Sequence, residues 1–248
     1  MNNVKKYFDV VQNYLDLIEK SSEDDVKKAA LILAECFQNN GVCQLFGVKH
    51  GLEFSMELGY RAGGLMPFHR FNVTDLVLKG ILTEEEMNDP AVYDRCELVE
   101  KLMEIYNVYP EDMFLITSSS GTEGVVVEAA LLAKKQGRKV IAVVNGNEVK
   151  VSKSHHPSGK NLVEVADLVI DTHAPYPDVN IELSDGQKMC QVSTICGNII
   201  AQMITGETYR YFVENGLDCP ILLSANVKGA DVHNRQISDK YLGRWNSI

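Results

Sequence analysis

The apolar positions along the chain change period in a regular order. Residues 1–20 place Val4, Tyr7, Phe8, Val11, Tyr14, Leu15 and Ile18 at helical spacing, and residues 24–39 repeat the pattern with Val26, Ala29, Ala30, Leu33, Ala34 and Phe37. Between them, Ser21 and Ser22 followed by Glu23 to Asp25 read as a cap and an acidic first turn, so two N-terminal helices are predicted. The period then shortens. VCQLF at 42–46, MFLI at 113–116, KVIAVV at 139–144 and DLVID at 167–171 are brief apolar runs, as buried strands are. Helical patterns at 52–58, 92–106, 123–136, 162–166 and 193–215 separate or follow them, and Thr83-Glu84-Glu85-Glu86 marks a helix start inside a less regular stretch at 68–91. Residues 179–183 and 188–192 read as two further strands around Asp185-Gly186, a hairpin dipeptide. An extended piece at 220–223, a polar loop at 224–235 and a short helix containing Tyr241 and Leu242 complete the chain.

This alternation predicts an α/β fold: a doubly wound, mainly parallel sheet flanked by helices, with the N-terminal helices added. The expected organisation is one domain over 1–248, with a helical preface at 1–40, the α/β core at 41–217 and a C-terminal loop and short helix at 218–248. In such sheets the ligand crevice lies at the carboxyl ends of the strands. The loops at 47–51, 117–122 and 193–194 should open there.

The chain carries a net charge of −10 with no block of Lys or Arg, which argues against nucleic acid or an anionic membrane as the main partner. Six cysteines, none in a CxxC pair, fit a reducing, cytoplasmic setting. The N-terminal segment carries Asp9, Asp16 and Glu19 and does not read as a signal peptide. No GxGxxG follows the first strand and no GxxxxGK[ST] occurs, so a nucleotide-binding domain is disfavoured.

The candidate chemistry centres on Thr117-Ser118-Ser119-Ser120-Gly121-Thr122, set between a strand and a helix. Unpaired N–H groups and the positive end of the helix dipole collect at such a place and favour an anion such as phosphate. A lone cap needs one hydroxyl, not a cluster. Ser193 and Thr194 begin another helix in the same way. Glu53 and Glu57, spaced i, i+4, lie on one helical face beside the glycine turn at 47–51. Taken alone, such a pair is a solvated surface.

Ser118-x-Ser120-Gly121, Val192-Ser193-Thr194, the strand at 140–145 and the strand start at Ala166-Asp167 together resemble the sugar isomerase (SIS) family of phosphosugar-binding domains. The likeness spans about 40–200, and SHHPSGKNL and SANVKGADVHN resemble a single-domain branch of that family. Two departures stand out. Val48-Lys49-His50 occupies the first loop, where many members carry Ser or Thr, and Glu123 stands where some carry Thr.

The resemblance implies a phosphorylated sugar as ligand and an aldose–ketose isomerase as the first functional expectation. An etherase, a deaminating isomerase or a non-catalytic phosphosugar sensor are the alternatives. It implies Glu57 as base, with Glu53 behind it, and an assisting histidine, for which His69 is the catalytic candidate. Lys49, His50, Arg61, Ser118, Ser119, Ser120, Thr122, His155, His156, Ser193 and Thr194 are the expected substrate contacts. Asn226, Asp231 and His233 could close over the sugar. No cofactor and no metal is expected, since neither HxH nor HExxH occurs. A homodimer or larger homo-oligomer follows from family habit.

Overall fold

A computed structural model describes residues 3–183 and 185–244; Met1 and Asn2 of the predicted first helix and residues 245–248 of the C-terminal segment lie outside it. The chain begins with α1 (Asn3–Gln38), a single continuous helix where two were expected. Ser21 turns its hydroxyl back onto Leu17 O instead of capping, and Ser22 is buried. No Gly or Pro interrupts the run, and packing of its apolar face carries it through the cap signal.

The elements then follow as β1 (Cys43–Gly47), α2 (Gly51–Leu58), β2 (Phe68–Phe71), α3 (Asp75–Leu78), α4 (Glu84–Asn88) and α5 (Leu98–Ile105). After these come β3 (Met113–Thr117), α6 (Gly124–Lys135), β4 (Val140–Val144), α7 (Gly146–Val149), α8 (Leu162–Val165) and β5 (Leu168–Asp171). The short antiparallel pair β6 (Ile181–Glu182) and β7 (Lys188–Met189) precedes α9 (Ser193–Glu214) and α10 (Ala230–Asp239). The helix expected over 92–106 begins only at Leu98, because residues 90–94 form a 3-10 turn whose Asp94 carbonyl lies against Gly124. At 83–86 the predicted start is a full capping box between Thr83 and Glu86.

Five parallel strands form one sheet in the order β2-β1-β3-β4-β5. Residues of β1, β3 and β4 alternate between two cores. Cys43, Leu45, Met113, Leu115, Ile141 and Val143 pack with α1, α2 and α9, whereas Phe46, Phe114, Ile116, Val140 and Ala142 pack with α5 and α6. Burial on both faces explains why these strands read as unbroken apolar runs. β2 was not foreseen: FHRF has neither a continuous run nor alternation, and only its pairing with β1 makes it a strand. Among the described residues no helix is long and apolar enough to cross a membrane.

His69, on β2, stands opposite Gln44 near the amino end of β1. Its Nδ1 donates to Gln44 Oε1 at 2.7 Å, and its ring meets Tyr106 edge-on. Burial pushes its pKa down from 6.5 to about 4. The folded chain thus keeps it neutral where the unfolded chain protonates it, so stability drops as pH falls from about 6.5 to about 4. The full loss is about 3 kcal/mol. His69→Gln should flatten the fall in unfolding midpoint between pH 7 and 4.5; an unchanged slope would refute this.

Candidate functional site

The order β2-β1-β3-β4-β5 reverses direction between β1 and β3, the place where an open α/β sheet parts its loops and leaves a crevice. The two loops that leave here are the glycine turn after β1 and the serine loop after β3. They touch closely: a Cβ on Gly51 would stand 2.3 Å from Thr117 O, so only glycine lets α2 start against the end of β3. Gly121 has φ +67, and a Cβ there would strike Asn161 Oδ1 at 2.5 Å. Asn161 Nδ2 in turn donates to Ser120 O at 3.0 Å and fastens the serine loop to the start of α8.

Two adjoining recesses open above these loops and share His50, Ser119, Asn145 and Ser193. The first lies over the β1/β3 crossover and is lined by Glu53, Thr117, Ser118, Thr172, Thr194 and Asn198 among others. The second is a cavity of about 490 Å³ bordered by Lys49, Ser120, Thr122, Glu123, Glu148, Lys153, His155 and Asp178. That volume falls within the range of small-molecule sites, roughly 300–1,000 Å³.

Glu53 faces the first recess, where Thr194 Oγ1 approaches its Oε2 at a long 3.5 Å. Glu57, the first expectation for the base, is placed differently. Arg61 Nη1 pairs with its Oε2, Gln202 Nε2 donates to its Oε1 at 2.6 Å, and it lines neither recess. Arg61 is thereby spent on Glu57 rather than on a ligand. His69 lies at the amino end of the sheet, away from these loops. His156 packs against α6, with Nε2 2.7 Å from Glu128 Oε2, and lines neither recess. His155 does border the second, with Nδ1 2.9 Å from Asp94 Oδ1.

The C-terminal residues sit elsewhere than expected. α10 begins at Ala230 inside the predicted polar loop, Tyr241 and Leu242 lie beyond its end, and His233 Nε2 donates to Ile221 O at 3.0 Å. Ile237 and Tyr241 pack on Val42 at the amino end of β1, so this segment covers the opposite edge from the recesses.

Cys96, Glu128 and His156 each place one donor atom within 4.8 Å of the others, and these are atom types that zinc takes. However, His156 Nδ1 accepts from the Ser158 N–H at 3.1 Å, so Nε2 carries the ring proton and donates it to Glu128. A histidine that ligates a metal donates from its other nitrogen instead. The trio reads as a hydrogen-bonded clasp between the 150–160 loop and α6.

A model of the SIS domain matches residues 6–145. The chain belongs to the SIS-domain family. Along its length it is 35% identical to the UPF0309 protein of Geobacillus kaustophilus, over 97% of this chain and 95% of that one. In fold it is similar to the phosphoheptose isomerase GmhA of Neisseria gonorrhoeae, with a TM-score of 0.57, 14% identity, and coverage of 84% of this chain and 97% of that one. A phosphoheptose isomerase of Francisella tularensis gives a TM-score of 0.54 at 15% identity, covering 85% of this chain and all of that one (100%).

In this SIS chain Asn198 is a lining residue that the sequence reading did not single out, whereas Thr117 stood at the head of the serine stretch. Thr117 Oγ1 and Asn198 Oδ1 are buried without a hydrogen-bond partner, and both residues line the first recess. Buried polar atoms are rarely left unpaired, and these two stand at the wall of the first recess. A signal for it did exist: Asn198 lies four residues after Thr194 on the same face of α9. Asn198→Ala should leave the thermal midpoint of the free protein essentially unchanged while weakening ligand binding by about tenfold, one lost hydrogen bond's worth. A midpoint that drops as much as affinity does would mark Asn198 as structural.

Proposed function

We propose that the crevice at the carboxyl ends of β1 and β3 binds a phosphorylated sugar and interconverts its aldose and ketose forms. The observation that carries this reading is the convergence of three loops. The serine loop, the glycine turn and the hydroxyl start of α9 border one pair of recesses, lined by the carboxylates of Glu53, Glu123, Glu148 and Asp178 and by histidines and lysines. Aldose–ketose exchange needs a base that moves a proton between neighbouring carbons and an acid that serves the oxygens. Glu53 takes the base role here on geometry, since Glu57 is held by Arg61 and Gln202. His50 lines both recesses, and its imidazole can serve as the acid at the sugar oxygens. Thr117, Asn198, Ser193 and Thr194 offer hydrogen bonds to sugar hydroxyls. The shared fold with phosphoheptose isomerases supports the reading by analogy alone.

The test is a thermal-shift screen against hexose, heptose and amino-sugar phosphates, each beside its unphosphorylated parent. A ligand of the folded state raises the midpoint by mass action. A rise with one phosphosugar and not with its parent supports the proposal and supplies the substrate for a turnover assay. Equal shifts with parent and phosphate, or none at all, overturn it.

A further inference from the structure

The serine loop already holds an anion of its own. Glu123, only 6% exposed, stands at the N-cap position of α6 without bonding the helix's N–H groups and turns its carboxylate back into the loop. Ser118 Oγ donates to its Oε2 at 2.6 Å and Ser120 Oγ reaches the same oxygen at 3.4 Å. Lys49 Nζ bonds its Oε1 at 3.3 Å. Two of the loop's hydroxyls, Ser118 and Ser120, and the Lys49 ammonium are thus engaged by one internal carboxylate. The neighbouring helix starts follow the same pattern. Asp178 accepts from Val192 N and Ser193 N at 2.9 and 3.0 Å before α9, and Asp171 accepts from Gly146 N at 2.8 Å at α7. Across the second recess, burial pushes the Glu148 carboxyl pKa up, and the charge of Glu123 pushes it further. A free anion entering this recess meets the carboxylates of Glu123, Glu148 and Asp178 beside the donors of Lys49, Ser119 and Lys153.

We propose that Glu123 is the specificity-determining residue of the serine loop: its carboxylate occupies the anion position, excludes inorganic phosphate, and yields only to a phosphosugar whose sugar end is held in the adjoining recess. This rests on the phosphosugar reading above and adds a selection to it. The two like charges cannot share one cradle without mutual cost, so phosphate enters as the Glu123 carboxylate leaves. The contacts that drive this exchange come from the recess where Thr117 Oγ1 and Asn198 Oδ1 stand unpaired. Inorganic phosphate makes none of them.

The test measures binding of inorganic phosphate, and of a sugar phosphate beside its parent sugar, to the full chain and to Glu123→Thr and Glu123→Gln by calorimetry at fixed ionic strength. Threonine empties the cradle and keeps a hydroxyl; glutamine keeps the shape and removes the charge, and serves alone if threonine unfolds the loop. The expected result is a gain of at least tenfold in inorganic phosphate affinity for Glu123→Thr, a smaller gain for Glu123→Gln, and a narrowed preference for sugar phosphate over free phosphate. Inorganic phosphate affinity that stays level or falls in both variants overturns the proposal, including the case in which no protein binds it. Failure of the phosphosugar reading shows separately, as equal binding of the sugar phosphate and its parent by every variant.

Discussion

On the proposed isomerase reading, Glu53→Gln is expected to lower turnover of the sugar phosphate by about 10²–10⁴-fold, the usual worth of a positioned general base, with ligand affinity nearly kept. The amide has the shape of the carboxylate and cannot take a carbon-bound proton. Glu53 is exposed beside the crossover of β1 and β3, with only the long Thr194 contact to hold it, so its replacement should not disturb the fold. Glu57→Gln is the comparison. It breaks the Arg61 pair and alters the Gln202 bond, so its signature is a lower unfolding midpoint with most turnover retained. Turnover lost in Glu57→Gln and kept in Glu53→Gln would reverse the assignment. Both variants are read by initial rates on the substrate found in the thermal screen and by thermal unfolding.

Asp112→Ala destabilises the chain by about 3–5 kcal/mol, the cost of breaking one side of a buried ion pair. Asp112 is 2% exposed, just before β3 at the amino edge of the sheet, and gathers four donors. Val42 N reaches its Oδ1 at 2.9 Å, Gln44 Nε2 and Tyr109 N reach Oδ2 at 3.0 and 2.9 Å, and the Arg244 guanidinium pairs with Oδ1. Arg244 also lies over the Tyr109 ring, 4.1 Å from its centre. Alanine leaves three donors without their acceptor and takes from the buried guanidinium its nearest carboxylate, so that Glu111 at 3.6 Å and Asn40 O at 3.2 Å remain to it, a larger loss than one bond. For a chain of this size that corresponds to a fall of roughly 10 °C in midpoint. Arg244→Met leaves the buried Asp112 carboxylate without its cation but still held by Val42 N, Gln44 Nε2 and Tyr109 N, so it should cost less than Asp112→Ala, and the double variant should cost less than the two single losses added. A loss below about 1 kcal/mol for Asp112→Ala, the level of an exposed pair, would sink this account. Because the network lies at the opposite edge from the recesses, ligand affinity at low temperature should be kept.

The residues foretold unequal parts of this protein, for reasons of range. β1, β3 and β4 read as apolar runs because a strand covered by helices on both faces has little polar side to interrupt it. The turn from β3 into α6 and the start of α9 at Ser193 were legible for a similar reason, since turns and helix starts are made by neighbours in the chain. Likewise local is the capping box at Thr83 and Glu86. Where the chain depends on distant partners the reading changed. α1 runs through its cap signal because packing along its whole length outweighs two serines. β2 exists because β1 offers it an edge. His69 resembles a catalytic histidine in the chain and is a buried, neutral one in the fold, since Gln44 and Tyr106 enclose it.

The same division runs through the site. Spacing alone put Glu53 and Glu57 on one helical face, and Arg61 with Gln202 of α9 left only the first of them facing the crevice. Glu123 stood in the sequence as a departure beside a run of hydroxyls; its carboxylate became the loop's occupant only when β3, α6 and the Lys49 turn brought the donors around it. Local rules of period, capping and turn chemistry act over a few residues and survive any fold. The tertiary structure decided which charges meet, because a carboxylate bonds whatever donor the packing delivers, at whatever distance along the chain.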